Sequence, residues 1–264
     1  MAVARHTPPD VVGVASSPDE PAGPQTFLPS ACAVTGMKNT GGSRGAKRRA
    51  GEHAATAVED GMVVGLGTGS TAAHAIRAIG DQIRDGLDVE GVPTSFQARQ
   101  LAIEEGIPVV DLDEVPGVDL AIDGADQISD GQLIKGGGGA HAREKVVDAA
   151  ADRFLVVADP SKRAETLDGA VPVETLPAAR PVVEHEIRAL GGEPSLRRAE
   201  RKDGPVITDN GNVVLDCEFG PIETPDTLAE QLSMLPGVVE HGLFVNLADE
   251  IHIGTAEGVT VERL

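Results

Sequence analysis

Apolar positions along this chain recur in two patterns, short continuous runs and longer stretches with helical spacing. The alanine-rich residues 46–58 carry the helical pattern, which Asp60-Gly61 closes. Residues 62–66 then predict a buried strand, and helical spacing resumes over 72–83 after a glycine-rich loop. Further strands are predicted at 89–93, 107–112, 118–122 and 154–158, with a helix over 95–105 that stops at Gly106. Strands alternating with helices in this way predict an α/β fold with a parallel sheet and right-handed crossovers.

Beyond Lys162 the texture changes. Residues 171–173, 195–198, 206–208 and 213–217 predict short strands, and 182–190 and 227–234 predict helices, together a compact α+β unit. Two more strands, at 243–246 and 250–254, are expected to return to the first body. Residues 1–36 lack periodicity and are interrupted by Pro8, Pro9, Pro18, Pro21, Pro24 and Pro29, so they are expected to be disordered or foreign to the native protein.

Composition narrows the possibilities. Hydrophobic residues make up 41% of the 264, but only 2% are aromatic, so the core must be built from Val, Ile, Leu and Ala. The formal charge of −20 disfavours nucleic acid and anionic membranes as partners. It also repels a phosphorylated substrate, so a phosphate site would need local N–H groups and a few placed lysines. The acidity itself is consistent with solubility in a salty cytoplasm. Lys38, Arg44, Lys47, Arg48 and Arg49 reverse the sign locally, either as solvated charges at a helix start or near a bound anion. Cys32 and Cys217 have no metal or redox spacing, which fits a reducing cytosol. No apolar run approaches the roughly 18–20 residues needed to span a bilayer, and residues 1–36, without a basic head followed by a sustained apolar stretch, do not read as a signal peptide.

Three segments carry candidate chemistry. In Gly65-Leu66-Gly67-Thr68-Gly69-Ser70-Thr71 the glycines allow close backbone approach, and the following helix offers unpaired N–H groups to an anion. The loop is not a Walker A motif, and Ser70 stands where a dinucleotide fingerprint needs its third glycine. Asp123-Gly124-Ala125-Asp126 directly follows an apolar strand, at the edge where open α/β sheets bind ligands. The two carboxylates can converge there, one handling protons and the other a hydroxyl. Lys135 precedes Gly136, Gly137, Gly138 and Gly139, and Glu144 lies in the helix after them. A lysine and a carboxylate around a carbonyl compound are equipped for proton abstraction beside that carbonyl. His53, His74, His141, His185, His241 and His252 show no metal-ligand spacing.

Taken in order, these segments resemble the ribose-5-phosphate isomerase A family. The likeness continues through Ala158-Asp159-Pro160-Ser161-Lys162, Thr208-Asp209-Asn210-Gly211-Asn212, and Pro236-Gly237-Val238-Val239 with Gly242-Leu243-Phe244. It implies interconversion of D-ribose 5-phosphate and D-ribulose 5-phosphate in the pentose phosphate pathway, without metal or organic cofactor. Residue by residue, it implies Glu144 as catalytic base, Lys135 as oxyanion stabiliser, Asp123 as an acid moving protons between the oxygens, and Asp126 as a sugar-hydroxyl or ring-opening partner. Thr68, Gly69, Ser70 and Thr71 match the substrate loop, joined by Asp123, Gly124, Ala125, Asp126, Lys135, Gly136, Gly137 and Gly138, with Lys162 and Lys47 as charged contacts. The implied fold is a doubly wound, mostly parallel α/β domain over 37–167 and 240–264, with a smaller α+β domain at 168–239. Homodimers or homotetramers in the cytoplasm are expected, and residues 1–36 have no counterpart in the family. An amino-sugar phosphate deaminase would need a ring-opening histidine beside the acids, which Asp123–Asp126 lack. A sugar-phosphate sensor would need a DNA-binding helix-turn-helix, for which the basic stretch at 38–49 is too short.

Overall fold

A computed structural model of the chain describes residues 43–264, so the expectations for residues 1–36, Cys32, Met37 and Lys38 lie outside the described residues. The first helix, α1 (Arg44–Ala55), begins where the Ser43 hydroxyl accepts the Ala46 N–H. Then follow β1 (Val63–Leu66), α2 (Ala72–Arg84), β2 (Glu90–Pro93), α3 (Phe96–Glu104), β3 (Leu120–Gly124), β4 (Gln127–Ser129) and β5 (Gln132–Ile134). Next come α4 (His141–Ala150), β6 (Phe154–Ala158), β7 (Val171–Thr175), α5 (Arg180–Ala189), β8 (Glu193–Leu196) and β9 (Val213–Glu218). The chain ends with α6 (Pro225–Ser233), β10 (Val238–His241), β11 (Leu243–Phe244), β12 (Glu250–Gly254) and β13 (Val259–Arg263).

The main sheet has the order β13-β12-β6-β3-β1-β2. All its pairs are parallel except the edge pair of β12 with β13. Its central strands are apolar on both sides, as a doubly covered parallel sheet requires. Leu120, Ile122, Leu155 and Val157 meet residues of α1, α2 and α3, including Ala54, Ile76 and Ala102. Their neighbours Ala121, Phe154, Val156 and Ala158 pack on the other face with Ile128, Leu133 and Phe244. Each such large side chain, fully buried, contributes about 1.5–3 kcal/mol. The chain leaves β1 towards β2 on one side and β3 towards β6 on the other, so the sheet's switch point lies between β1 and β3. Open sheets of this kind take ligands at the carboxyl ends of the strands flanking that point.

A second, antiparallel sheet of order β10-β7-β9-β8 encloses a separate core with α5 and α6, centred on Val171, Val173, Leu215, Ile187 and Leu232. A third sheet, β11-β5-β4, holds the β4–β5 hairpin. Its Asp130-Gly131 turn places both residues at positive φ, 45° and 77°, as a two-residue hairpin turn of mirror type requires.

Three strand expectations are corrected. Residues 107–112 make only a single parallel bridge, Val109 to Gly91, because Pro108 offers no N–H to a ladder. Residues 206–208 likewise reduce to the bridge of Ile207 to Val213. The strand expected at 243–246 shortens to Leu243–Phe244, β11, which pairs with β5, while β12 joins the parallel sheet. No helix among the described residues is long and apolar enough to cross a membrane.

Candidate active site

The site forms at the switch point, where the loop after β1 and the end of β3 are fitted to each other. A Cβ on Gly67 would stand 2.3 Å from Asp123 Cγ, so only glycine permits this approach. The Asp123 Oδ1 atom accepts the Thr68 N–H at 2.9 Å and the Gly124 N–H at 2.6 Å, joining the first two segments. The Thr68 hydroxyl donates to Ser95 Oγ at 2.6 Å and lies 2.9 Å from Thr94 Oγ1, tying the loop to the start of α3. Gly69 has φ of +110°, and the loop runs straight into α2, whose Ala73 and His74 N–H groups donate back to the Gly69 and Thr71 carbonyls at 3.0 Å each.

Lys135 emerges from β5, where its N–H donates to the Gly242 carbonyl at 2.8 Å. Its side chain is buried, and the ammonium donates to the Gly124 carbonyl at 2.6 Å. Around it stand Asp123 Oδ2 at 2.9 Å, Glu144 Oε2 at 3.3 Å and Asp148 Oδ2 at 4.0 Å. The Phe244 ring centroid lies 5.2 Å from the same nitrogen. Glu144 and Asp148 sit one turn apart on α4, which brings them to the same face.

One cation cannot neutralise three buried carboxylates, and their proton affinities rise accordingly. Burial first, and then the Asp123 charge, push the Glu144 carboxyl up to about 8, against the opposing pull of Lys135. Burial and the charge of Asp123 hold Asp148 well above the ordinary range. Burial also raises Asp123, partly offset by Lys135 and the Gly124 and Thr68 N–H groups. Burial disfavours the Lys135 ammonium, but Asp123, Glu144 and Asp148 outweigh it and raise its proton affinity. The cluster can therefore take up and release a proton near neutral pH, which is the equipment for acid–base work.

A cavity of about 290 Å³ opens above this cluster. Thr68, Gly69, Ser70 and Thr71 line it, together with Gly124, Ala125 and Asp126. Lys135, Gly136, Gly137, Gly138 and Glu144 line it as well, and Lys47 and Lys162 complete the lining. Asp126 Oδ2 accepts the Gly137 N–H at 2.7 Å, and its Oδ1 lies 4.0 Å from the Lys162 ammonium. Lys47 reaches Asp159 Oδ2 at 3.8 Å. Asp123, with no exposed surface, stands beneath the cavity wall and reaches the cleft through Lys135 and Thr68. The structure thus brings all three segments, and both lysines from outside them, to one place.

Sequence reasoning missed four contributors. Gln97 lines the cavity, Asp148 and Phe244 surround Lys135, and Arg197 grips the glycine loop from outside. Only Asp148 carried a local signal, its spacing of four from Glu144. His141 is a packing residue: its ring lies against Gly136, and burial pulls its proton affinity down to about 3. Among the described residues no group of three or more side chains is placed to hold a metal ion.

Fold and site together define an acid–base enzyme of the open α/β class with a cleft for a small anionic substrate. The family model for ribose 5-phosphate isomerase A (phosphoriboisomerase A) matches residues 90–258. A ribose-5-phosphate isomerase A of Haloarcula marismortui is 69% identical over 224 residues, covering 85% of this chain and 98% of the relative. The solved structure of ribose 5-phosphate isomerase A from Methanocaldococcus jannaschii is similar at a TM-score of 0.80 and 45% identity, covering 83% of this chain and 98% of that one. A D-ribose-5-phosphate isomerase in complex with phospho-erythronic acid gives a TM-score of 0.81 and 41% identity, covering 83% and 97%. The chain belongs to the ribose 5-phosphate isomerase A family.

Proposed function

We propose that this chain interconverts D-ribose 5-phosphate and D-ribulose 5-phosphate through an enediolate, as an enzyme of the pentose phosphate pathway. The observation that carries the mechanism is the 3.3 Å approach of Glu144 to Lys135 in the lining of a cavity that the glycine loop 68–71 also lines. In the open-chain aldose, ionised Glu144 takes the proton on C2 while the electrons move into a C1–C2 double bond and onto the carbonyl oxygen. The Lys135 ammonium stabilises that oxygen as its charge develops. A proton passes from the C2 hydroxyl to the C1 oxygen, and Glu144 returns its proton to C1, leaving the ketose. Oxidation at C2 balances reduction at C1, so the step needs no external electron carrier.

The Thr68–Thr71 loop, with Lys47 and Lys162, suits the phosphate end. Asp126 is placed to accept a sugar hydroxyl, and Asp123 acts from beneath by holding Lys135 and the Thr68 N–H. The separate core of the antiparallel sheet supports a division into an α/β domain, 37–167 with 240–264, and a smaller α+β domain, 168–239. Assembly into a homodimer or homotetramer is carried over from the family likeness. A cytoplasmic setting suits both the reaction and the cysteine usage. The test is incubation with ribose 5-phosphate, without added cofactor, while ribulose 5-phosphate is followed. Turnover is expected; a well-folded protein that gives none overturns the proposal.

A further inference from the structure

The glycine loop after Lys135 is held from outside by a residue of the antiparallel sheet. Arg197, which follows β8, places Nη1 2.8 Å from the Gly136 carbonyl and 3.3 Å from the Gly137 carbonyl. Its guanidinium is fixed in turn by Asp216 of β9, with Nε 2.9 Å from Oδ2 and Nη2 bonded to Oδ1. Both side chains are largely buried, at 12% and 16% exposure, so the pair is a fixed strut rather than a surface ion pair.

The consequence follows from peptide geometry. A trans peptide points its C=O and the next N–H in opposite directions. With the Gly136 carbonyl turned out onto Arg197, the Gly137 N–H must point inward, and it donates to Asp126 at 2.7 Å. With the Gly137 carbonyl turned the same way, the next N–H, that of Gly138, is directed towards the cavity that Gly138 lines. Glycines give this loop little stiffness of their own, and Gly136 sits at φ of +102°. The Gly139 N–H also donates to the Gly136 carbonyl at 2.9 Å, so the guanidinium fork reinforces a turn at Gly136 and adds the hold on the Gly137 carbonyl.

We propose that Arg197 is a positioning residue for the isomerisation: it sets the peptide planes of the 136–138 loop, and through them Asp126 and the wall carrying Lys135. The inference rests on the isomerase reading above. Arg197 touches no substrate and acts through the loop, so its loss should lower turnover without shifting the acidity of the base. Lys is no substitute, since a single ammonium cannot hold two carbonyls and a carboxylate in one plane.

The experiment compares Arg197→Met, Arg197→Lys and the double variant Arg197→Met/Asp216→Leu with the wild type. Melting temperature, kcat, KM and the pH dependence of kcat/KM are measured with ribose 5-phosphate. A misplacement near 1 Å at a site costs about 100-fold, so a fall in kcat of roughly 10- to 100-fold is expected. Arg197→Lys should recover only part of it. The double variant, relieved of an unpaired carboxylate, should regain the melting temperature but keep the low kcat, with the midpoint of the pH profile unmoved. Recovery of kcat together with melting temperature would mean a purely structural strut and overturn the inference, as would unchanged kinetics in Arg197→Met beside an active wild type. A wild type without turnover would overturn the isomerase reading, and this inference with it.

Discussion

Glu144 Oε2 stands 3.3 Å from the Lys135 ammonium, in a buried cluster where Asp123 approaches the same nitrogen more closely, at 2.9 Å. Asp123 is thus the carboxylate best compensated by the lysine, and Glu144 is left with a raised proton affinity and access to the cavity. On the proposed mechanism, this difference in distance and cavity access makes Asp123 the fixed counter-ion and Glu144 the proton carrier. Glu144→Gln keeps the shape and removes the base. Its kcat should fall by roughly 100- to 10,000-fold, the usual range for a general base, while substrate binding measured by calorimetry stays within a few-fold. A variant with near-normal kcat would assign the proton transfer to another group.

The pH dependence follows from the same cluster. Burial and the Asp123 charge push Glu144 up to about 8, and the base must be ionised to act. The kcat/KM should therefore rise with pH, nearly tenfold per unit well below that value, and level off above it. A profile already flat between pH 6 and 7 would show that the free enzyme's base is ionised there.

Asp148 makes the opposite contribution to stability. Its folded proton affinity lies well above the ordinary range because of burial and the nearby Asp123. Below the unfolded value of about 4 both states hold the proton, and no difference arises. As pH rises the unfolded chain ionises and the folded one does not, so stability is lost through neutral pH. Asp148→Asn removes this loss. Its melting temperature should match the wild type near pH 4 and exceed it by several degrees at pH 8. An offset that stays constant from pH 4 to 8 would mean that Asp148 is ionised in the fold.

Much of this architecture was legible because the parallel strands are contiguous apolar runs and the site-forming turns are rich in glycine. The run at 118–122 predicted where β3 would carry Asp123, and the strand–glycine loop–helix order around residues 62–83 predicted the switch-point loop. The β4–β5 hairpin escaped because three-residue strands have too little periodicity, although Asp130-Gly131 was a turn signal. Asp148 is indistinguishable by composition from the many surface acids of a chain with charge −20. Arg197 reaches the glycine loop from about 60 residues away through a different sheet, and no local pattern encodes that contact.

Gly67 offers a steric test of the fit between loop and strand. A Cβ there would lie 2.3 Å from Asp123 Cγ and 2.5 Å from its backbone Cα, so the side chain alone cannot yield. Gly67→Ala should lower stability by about 1–3 kcal/mol, as overpacking does, and reduce kcat by shifting Asp123 and Lys135. Gly61→Ala serves as a comparison: its added Cβ meets nothing within 4 Å, and only its φ of +84° opposes it. If chemical denaturation finds the two variants equally stable and Gly67→Ala fully active, the close approach is not a constraint.

Lys162 tests the assignment of the phosphate end. In so acidic a chain, a cation at the cavity wall counts for more than its single charge, because the surrounding potential opposes an anionic substrate. Lys162 also faces Asp126, whose Oδ1 lies 4.0 Å from its ammonium, so its removal leaves that carboxylate less compensated. A charge-assisted contact is worth about 1.5–3 kcal/mol, and Lys162→Met should reduce kcat/KM for ribose 5-phosphate by roughly 10- to 100-fold, chiefly through KM. Unphosphorylated ribose supplies the control, since it lacks the group that Lys162 would hold. The preference for ribose 5-phosphate over ribose should shrink by the same factor as kcat/KM falls. Equal losses on both substrates would place Lys162 at the sugar hydroxyls, beside Asp126, rather than at the phosphate.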